Sequence, residues 1–121
     1  MRHELIDYDM ESKEASIEFS KEDNAIITYC PYLENPKLKN EYELTAFLPN
    51  NITSSSDEES IIKDSSGYYS YRITAKLVER INNFCKVNVK GLIISIDNVP
   101  NDIKIGENIQ FSAIRIDYNQ L

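Results

Sequence analysis

Between Tyr68 and Lys90 apolar and polar residues alternate with a period of two, and that restricts the segment to paired strands. Tyr69, Tyr71, Ile73, Ala75 and Leu77 share one parity; Ser70, Arg72, Thr74, Lys76 and Arg80 share the other. Further on, Cys85, Val87 and Val89 alternate with Lys86, Asn88 and Lys90. Successive side chains on a strand point to opposite faces, so each strand gains one face for a core and one for water. With Asn82-Asn83 closing the turn, the spacing predicts Arg80 opposite Lys86 and Lys76 opposite Lys90. Like charges directly opposite destabilise a sheet. The pattern therefore predicts acidic groups nearby, in the fold or on a partner.

The rest of the chain punctuates in the same style. Ile6, Tyr8 and Met10 alternate with Asp7, Asp9 and Glu11, which predicts an opening edge strand with outward carboxylates; a short helical turn through Leu5, Tyr8 and Asp9 competes with it. Ile17 to Phe19 and Ala25 to Cys30 read as a hairpin around the polar turn Lys21 to Asn24, ended by Pro31. Residues 31–40 form a loop, and Glu41 to Phe47 alternates again. Asn50 to Gly67 is the least structured part: its Ser54–Ser60 stretch is acidic and poor in apolar residues, predicting a mobile loop or a short Ser-capped helix carrying Glu58, Glu59, Ile61 and Ile62. After the Tyr68–Lys90 hairpin come a strand from Leu92 to Asp97 and a last one from Ile109 to Tyr118. The apolar parity slips within that last strand, which predicts a bulge near Ser112-Ala113. Seven or eight short strands imply an all-β protein, a small antiparallel barrel or sandwich with little helix. Nothing divides the chain, so residues 1–121 are expected to be one domain.

Composition excludes several classes. The longest apolar runs, such as Leu92-Ile93-Ile94, are far too short for a transmembrane helix. The N-terminus turns acidic where a signal peptide needs apolar residues, so a cytoplasmic location is expected. In that compartment Cys30 and Cys85 are read as small buried hydrophobes rather than a disulfide. His3 is the only histidine and lies where termini fray, which removes the usual base for a Ser or Cys nucleophile. Alternation points Cys85 and Lys86 to opposite faces. The three glycines are too dispersed for a phosphate-cradling loop, and one His with two distant Cys lacks zinc spacing. The pairs Asp7/Asp9 and Glu41/Glu43 share strand faces, as acid–base chemistry would need, but a solvated face needs the same. No enzyme activity, catalytic residue, cofactor or metal site is expected.

Several segments resemble part of an OB-type barrel: Tyr71 to Val78, Val87 to Gly91, Leu92 to Ile96, and Asp102 to Ile109 with its Ile-Gly-Glu-Asn-Ile step. The likeness covers residues 71–116 and implies a barrel. OB barrels often bind single-stranded nucleic acid by stacking bases on aromatics in a basic groove. Tyr69, Tyr71, Arg72, Lys76, Arg80, Lys86 and Lys90 are the candidates for such a surface. Against it stands a pI near 4.7, far from the basic values of phosphate-binding domains.

Charge points elsewhere. The net charge is -7, and residues 1–24 carry eight acids against three bases. In profile, though in no motif, the chain is similar to toxin-immunity and antitoxin-type inhibitors, small acidic proteins that mask a basic toxin, often a nuclease. An acidic surface speeds and orients docking onto a basic cleft. That resemblance implies a protein partner but carries over no residue; charge makes Asp7, Asp9, Glu11, Glu14, Asp57, Glu58 and Glu59 the candidate binding residues, with exposed Tyr68 as an anchor. A third reading is an accessory subunit that joins a larger sheet through an edge strand.

Overall fold

The computed structural model describes residues 2–82 and 84–121, and among them every regular element is a strand. In chain order these are β1 (Arg2–Tyr8), β2 (Ala15–Lys21), β3 (Asn24–Cys30), β4 (Tyr42–Phe47), β5 (Asn50–Ser55), β6 (Ser60–Lys63), β7 (Tyr71–Ile81), β8 (Phe84–Val89), β9 (Leu92–Asp97), β10 (Asn108–Ala113) and β11 (Arg115–Gln120). They form one sheet, mostly open, in the order β1-β2-β3-β11-β4-β9-β8-β7-β10-β5, with β6 beside β7. The all-β expectation holds, with eleven strands in place of seven or eight. No helix is long and apolar enough to cross a membrane among the described residues.

The sheet has to curl. Strands β11 and β10 stand fourth and ninth in the order, yet only Ile114 separates them. At about 4.8 Å per strand a flat sheet would hold them roughly 24 Å apart. Strands β4 and β5, joined through Leu48-Pro49, stand fifth and tenth and demand the same. Side chains on the inner face close one core, which includes Phe19, Ile26, Leu44, Ile73, Leu77, Ile94, Phe111 and Tyr118. Both cysteines are buried there as free thiols.

Three expectations need correction or refinement. The segment from Asn50 to Gly67 is not helical: it holds β5 and β6, with a short irregular connection over residues 56–59 between them. They lack an alternating pattern because they are held mainly by backbone pairing to β10 and β7. Only Ile52 and Ile61 pack onto the core from them. Next, the last strand breaks at Ile114, which is exposed, between buried Ala113 and Ile116. The expected irregularity is present against β5, where the register shifts between Gln110 and Ser112, and the corner at Ile114 adds to it, since there the chain changes neighbours from β5 and β7 to β3 and β4.

The third correction concerns the central hairpin. Its register shifts between Leu77 and Glu79, leaving Val78 as an extra residue. On the turn side of it Glu79 faces Lys86 and Arg80 faces Cys85, and beyond it Lys76 faces Asn88, so the expected clash of like charges does not arise. Backbone bonds on the opposite edge accompany the shift: Leu77 N donates to Glu107 O (2.9 Å) and Gly106 N to Leu77 O (2.8 Å). The turn residue Asn83 lies outside the described residues. A bulge also interrupts β1, at Ile6. It leaves Ile6 and Met10 exposed and turns Leu5 and Tyr8 toward the core. His3 is not frayed but stacks on Phe19 at 5.5 Å between centroids.

Candidate docking surface

The acids of the first hairpin are placed by its turn. Asp9 Oδ1 accepts from the backbone N–H groups of Glu11 (2.8 Å) and Ser12 (3.2 Å). Its own N–H donates to Glu14 O (2.9 Å), and Lys13 N donates to Asp9 O (2.8 Å). An Asp whose side chain bonds the backbone two residues on is a turn-former, so Asp9 owes part of its place to the fold. Asp7, Asp9 and Glu14 come to lie around a cleft of about 200 Å³, together with Ala15, Ser16, Tyr29 of β3 and Tyr69. Glu11 sits exposed in the same turn.

Aromatic groups form the far wall. The Tyr29 and Tyr69 rings meet edge to face at 5.4 Å. Tyr69 is pinned through its hydroxyl to Ser16 Oγ (2.5 Å), and exposed Tyr68 meets it edge-on at 4.8 Å. The Arg115 guanidinium covers Tyr29 at 4.8 Å and is itself held by Asp117 through Nε at 2.7 Å. Burial, and after it the neighbouring Glu14, pushes the Tyr29 hydroxyl above the usual phenol range. Among the described residues Asp7, Asp9 and Glu14 make no ion pair. The cleft thus combines uncompensated carboxylates with aromatic rings, a setting suited to a cation. Neither Tyr29 nor Arg115 stood out in the sequence. The signal available was β3 itself, where Ile27 and Tyr29 are apolar on the face opposite to Ile26, Thr28 and Cys30.

The second acidic stretch is used differently. Glu59 Oε1 accepts from Lys90 N (3.0 Å), supporting a tight β8–β9 turn in which Lys90 and Gly91 both have positive φ, 53° and 91°. Asn108 Nδ2 donates to Asp57 O (2.9 Å). Glu58 and Glu59 share a shallow groove with Lys76, Lys90 and Asn108. The acids beside the basic hairpin are therefore these two, whereas β1 pairs with β2 alone.

The candidate nucleic-acid residues do not assemble into one stacking groove. Tyr71 is 3% exposed, and its hydroxyl accepts from Ile27 N (2.8 Å), so its ring belongs to the core. Arg80 donates to the carbonyls of Val99 (3.3 Å), Pro100 (3.0 Å) and Ile103 (2.9 Å). Lys86 lies 4.0 Å from Glu79. Arg72, Lys76 and Lys90 remain exposed, the last two beside Glu58 and Glu59.

Other chemistry finds little purchase. Burial pushes the Cys30 and Cys85 thiols up, which suppresses the thiolate a nucleophile needs. Among the described residues no three His, Cys, Asp or Glu side chains are placed to hold a metal ion. No protein-family model matches the chain, and no curated protein and no solved structure is significantly similar to it.

Proposed function

We propose that this chain is a non-catalytic binding protein of the immunity or antitoxin type, which acts in the cytoplasm by covering a basic surface on a partner protein. A basic nuclease toxin is the kind of partner this fits. The observation that carries the reading is the convergence of Asp7, Asp9 and Glu14 with Tyr29 and Tyr69 around one cleft, with no cation paired to the acids among the described residues. In a chain of net charge -7 such acids repel one another, and a basic partner relieves that repulsion while the field steers its approach. Tyrosines at the rim supply contact area at small entropic cost.

The test is capture from nuclease-treated host lysate by the tagged protein, followed by the same capture with Asp7→Lys/Glu14→Lys. A stoichiometric basic protein retained by the native chain and lost from the variant, with binding that weakens as salt rises, supports the reading. Retention unchanged by the charge reversal sinks it. Retention that disappears on nuclease treatment would shift attention to Arg72, Lys76 and Lys90 as a nucleic-acid surface.

A further inference from the structure

A second concave surface, apolar where the cleft is acidic, opens where the two bent strand pairs turn their corners. Its volume is about 640 Å³, with Phe47, Leu48 and Pro49 along one side and Phe84, Asp97 and Ile114 along the other. We propose that this groove is the second half of the docking surface and receives an apolar anchor of the partner that lies next to one of its Lys or Arg residues. The inference rests on the acidic-cleft reading above and extends it.

Leu48 is the first ground. It is 58% exposed and has a φ of 48°, in the left-handed region that bulky residues avoid. Gly or Asn would occupy that corner at less cost, and so exposed a leucine gains little from the core. Phe84 and Ile114, also exposed at 60% and 49%, complete an apolar patch that the fold itself leaves uncovered.

Charge selects the occupant. Among the described residues Asp97 is the only ionisable side chain lining the groove, and it makes no ion pair with them. A second copy of the chain would bring the same negative charge to it, whereas a basic residue flanking an apolar anchor complements it. Continuity is the third ground. The Arg115 guanidinium stacks on Tyr29 of the cleft at 4.8 Å and on Phe47 of the groove at 3.9 Å, so a single residue separates the two sites. Tyr29 pairs in register with Asp117, and Asp117 with Thr45. Cleft and groove therefore belong to one outward face, within reach of one short segment of a partner.

The experiment titrates the full-length, ¹⁵N-labelled protein with two synthetic peptides, acetyl-Lys-Leu-Phe-Lys-amide and its counterpart with both Lys replaced by Glu. The Lys peptide is expected to shift the Leu48, Phe84, Asp97 and Ile114 amides saturably, with the Glu peptide about tenfold weaker. Leu48→Asn, which suits the backbone, should weaken the Lys peptide about fivefold or more without lowering the Tm. Shifts confined to Asp7, Glu14 and Tyr29 would overturn the groove while leaving the cleft reading intact. Equal binding of the two peptides would overturn the partner chemistry. Concentration-dependent shifts at the groove without peptide would make a second copy the occupant, and no shift at millimolar peptide would end the proposal.

Discussion

The β1–β2 turn and the β7–β8 hairpin both carry dense charge in sequence, and the fold treats them in opposite ways. On the hairpin the charges nearest the turn have been given work, and an acid supports its far end. Arg80 holds three carbonyls of the 99–103 loop, Lys86 faces Glu79, and Glu59 braces the turn at Lys90. At the β1–β2 turn Asp9 alone is tied into the backbone, while Asp7 and Glu14 face a cleft with no cation paired to them among the described residues. Counting charges along the chain would rank the two regions alike in interest. What separates them is backbone register, since the turn that pairs Ile81 with Phe84 sets Glu79 opposite Lys86 and Arg80 opposite Cys85.

That contrast can be broken most directly at Arg80. Arg80→Ala removes a charged donor from three carbonyls at once and should cost about 2 kcal/mol, lowering the Tm by roughly 8 °C in a thermal melt. Lys86→Ala, which loses only an exposed pair at 4.0 Å, should change stability by less than about 0.5 kcal/mol. Equal effects would mean that the hairpin charges are merely solvated.

A smaller effect sharpens the comparison from the acidic side. Glu59→Gln weakens the acceptor that holds Lys90 N and should destabilise by about 1 kcal/mol in denaturant unfolding. Glu14→Gln relieves repulsion at the cleft and should leave stability unchanged or raise it by a few tenths of a kcal/mol. If both variants lose stability alike, the acids of the cleft are structural after all.

The smallest expected effect is spectroscopic. Burial first and Glu14 second hold the Tyr29 hydroxyl above the usual phenol range, and burial does the same for Tyr71 and Tyr118. Each raised pKa means that the native state keeps a proton the unfolded chain gives up. Their contribution to stability is complete below the ordinary phenol value near 10 and is lost as pH rises beyond it. Absorbance titration of the phenolate should show one tyrosine moving down in Glu14→Gln. No movement would place Glu14 away from Tyr29.

Much of the framework was legible before the structure. The buried set Tyr71, Ile73, Ala75, Leu77, Cys85, Val87 and Val89 follows from period two alone, because a core demands one face of each strand. The Val78 bulge was not legible, since nothing local marks it; it depends on bonds from Leu77 to Glu107 and Gly106, about thirty residues away. Strands β5 and β6 were hidden for a related reason, as pairing rather than burial defines them. Of the cleft, Asp7, Asp9 and Glu14 could be named from their charge. Their meeting with Tyr69 is a tertiary fact, carried by the hydroxyl contact with Ser16, 53 positions away.

The corner at Ile114 has a consequence for the order of assembly. It delivers β11 into the middle of the sheet, between β3 and β4, although β11 follows every other strand in the chain. During synthesis the β1–β3 meander and the β7–β9 meander can each form from local pairings as they emerge. Neither can join the other through the sheet until residues 115–120 arrive to fill the gap. Fast local hairpins followed by one late, long-range closure is the expected course, and a chain interrupted before residue 115 would present two unpaired strand edges where the native protein has none.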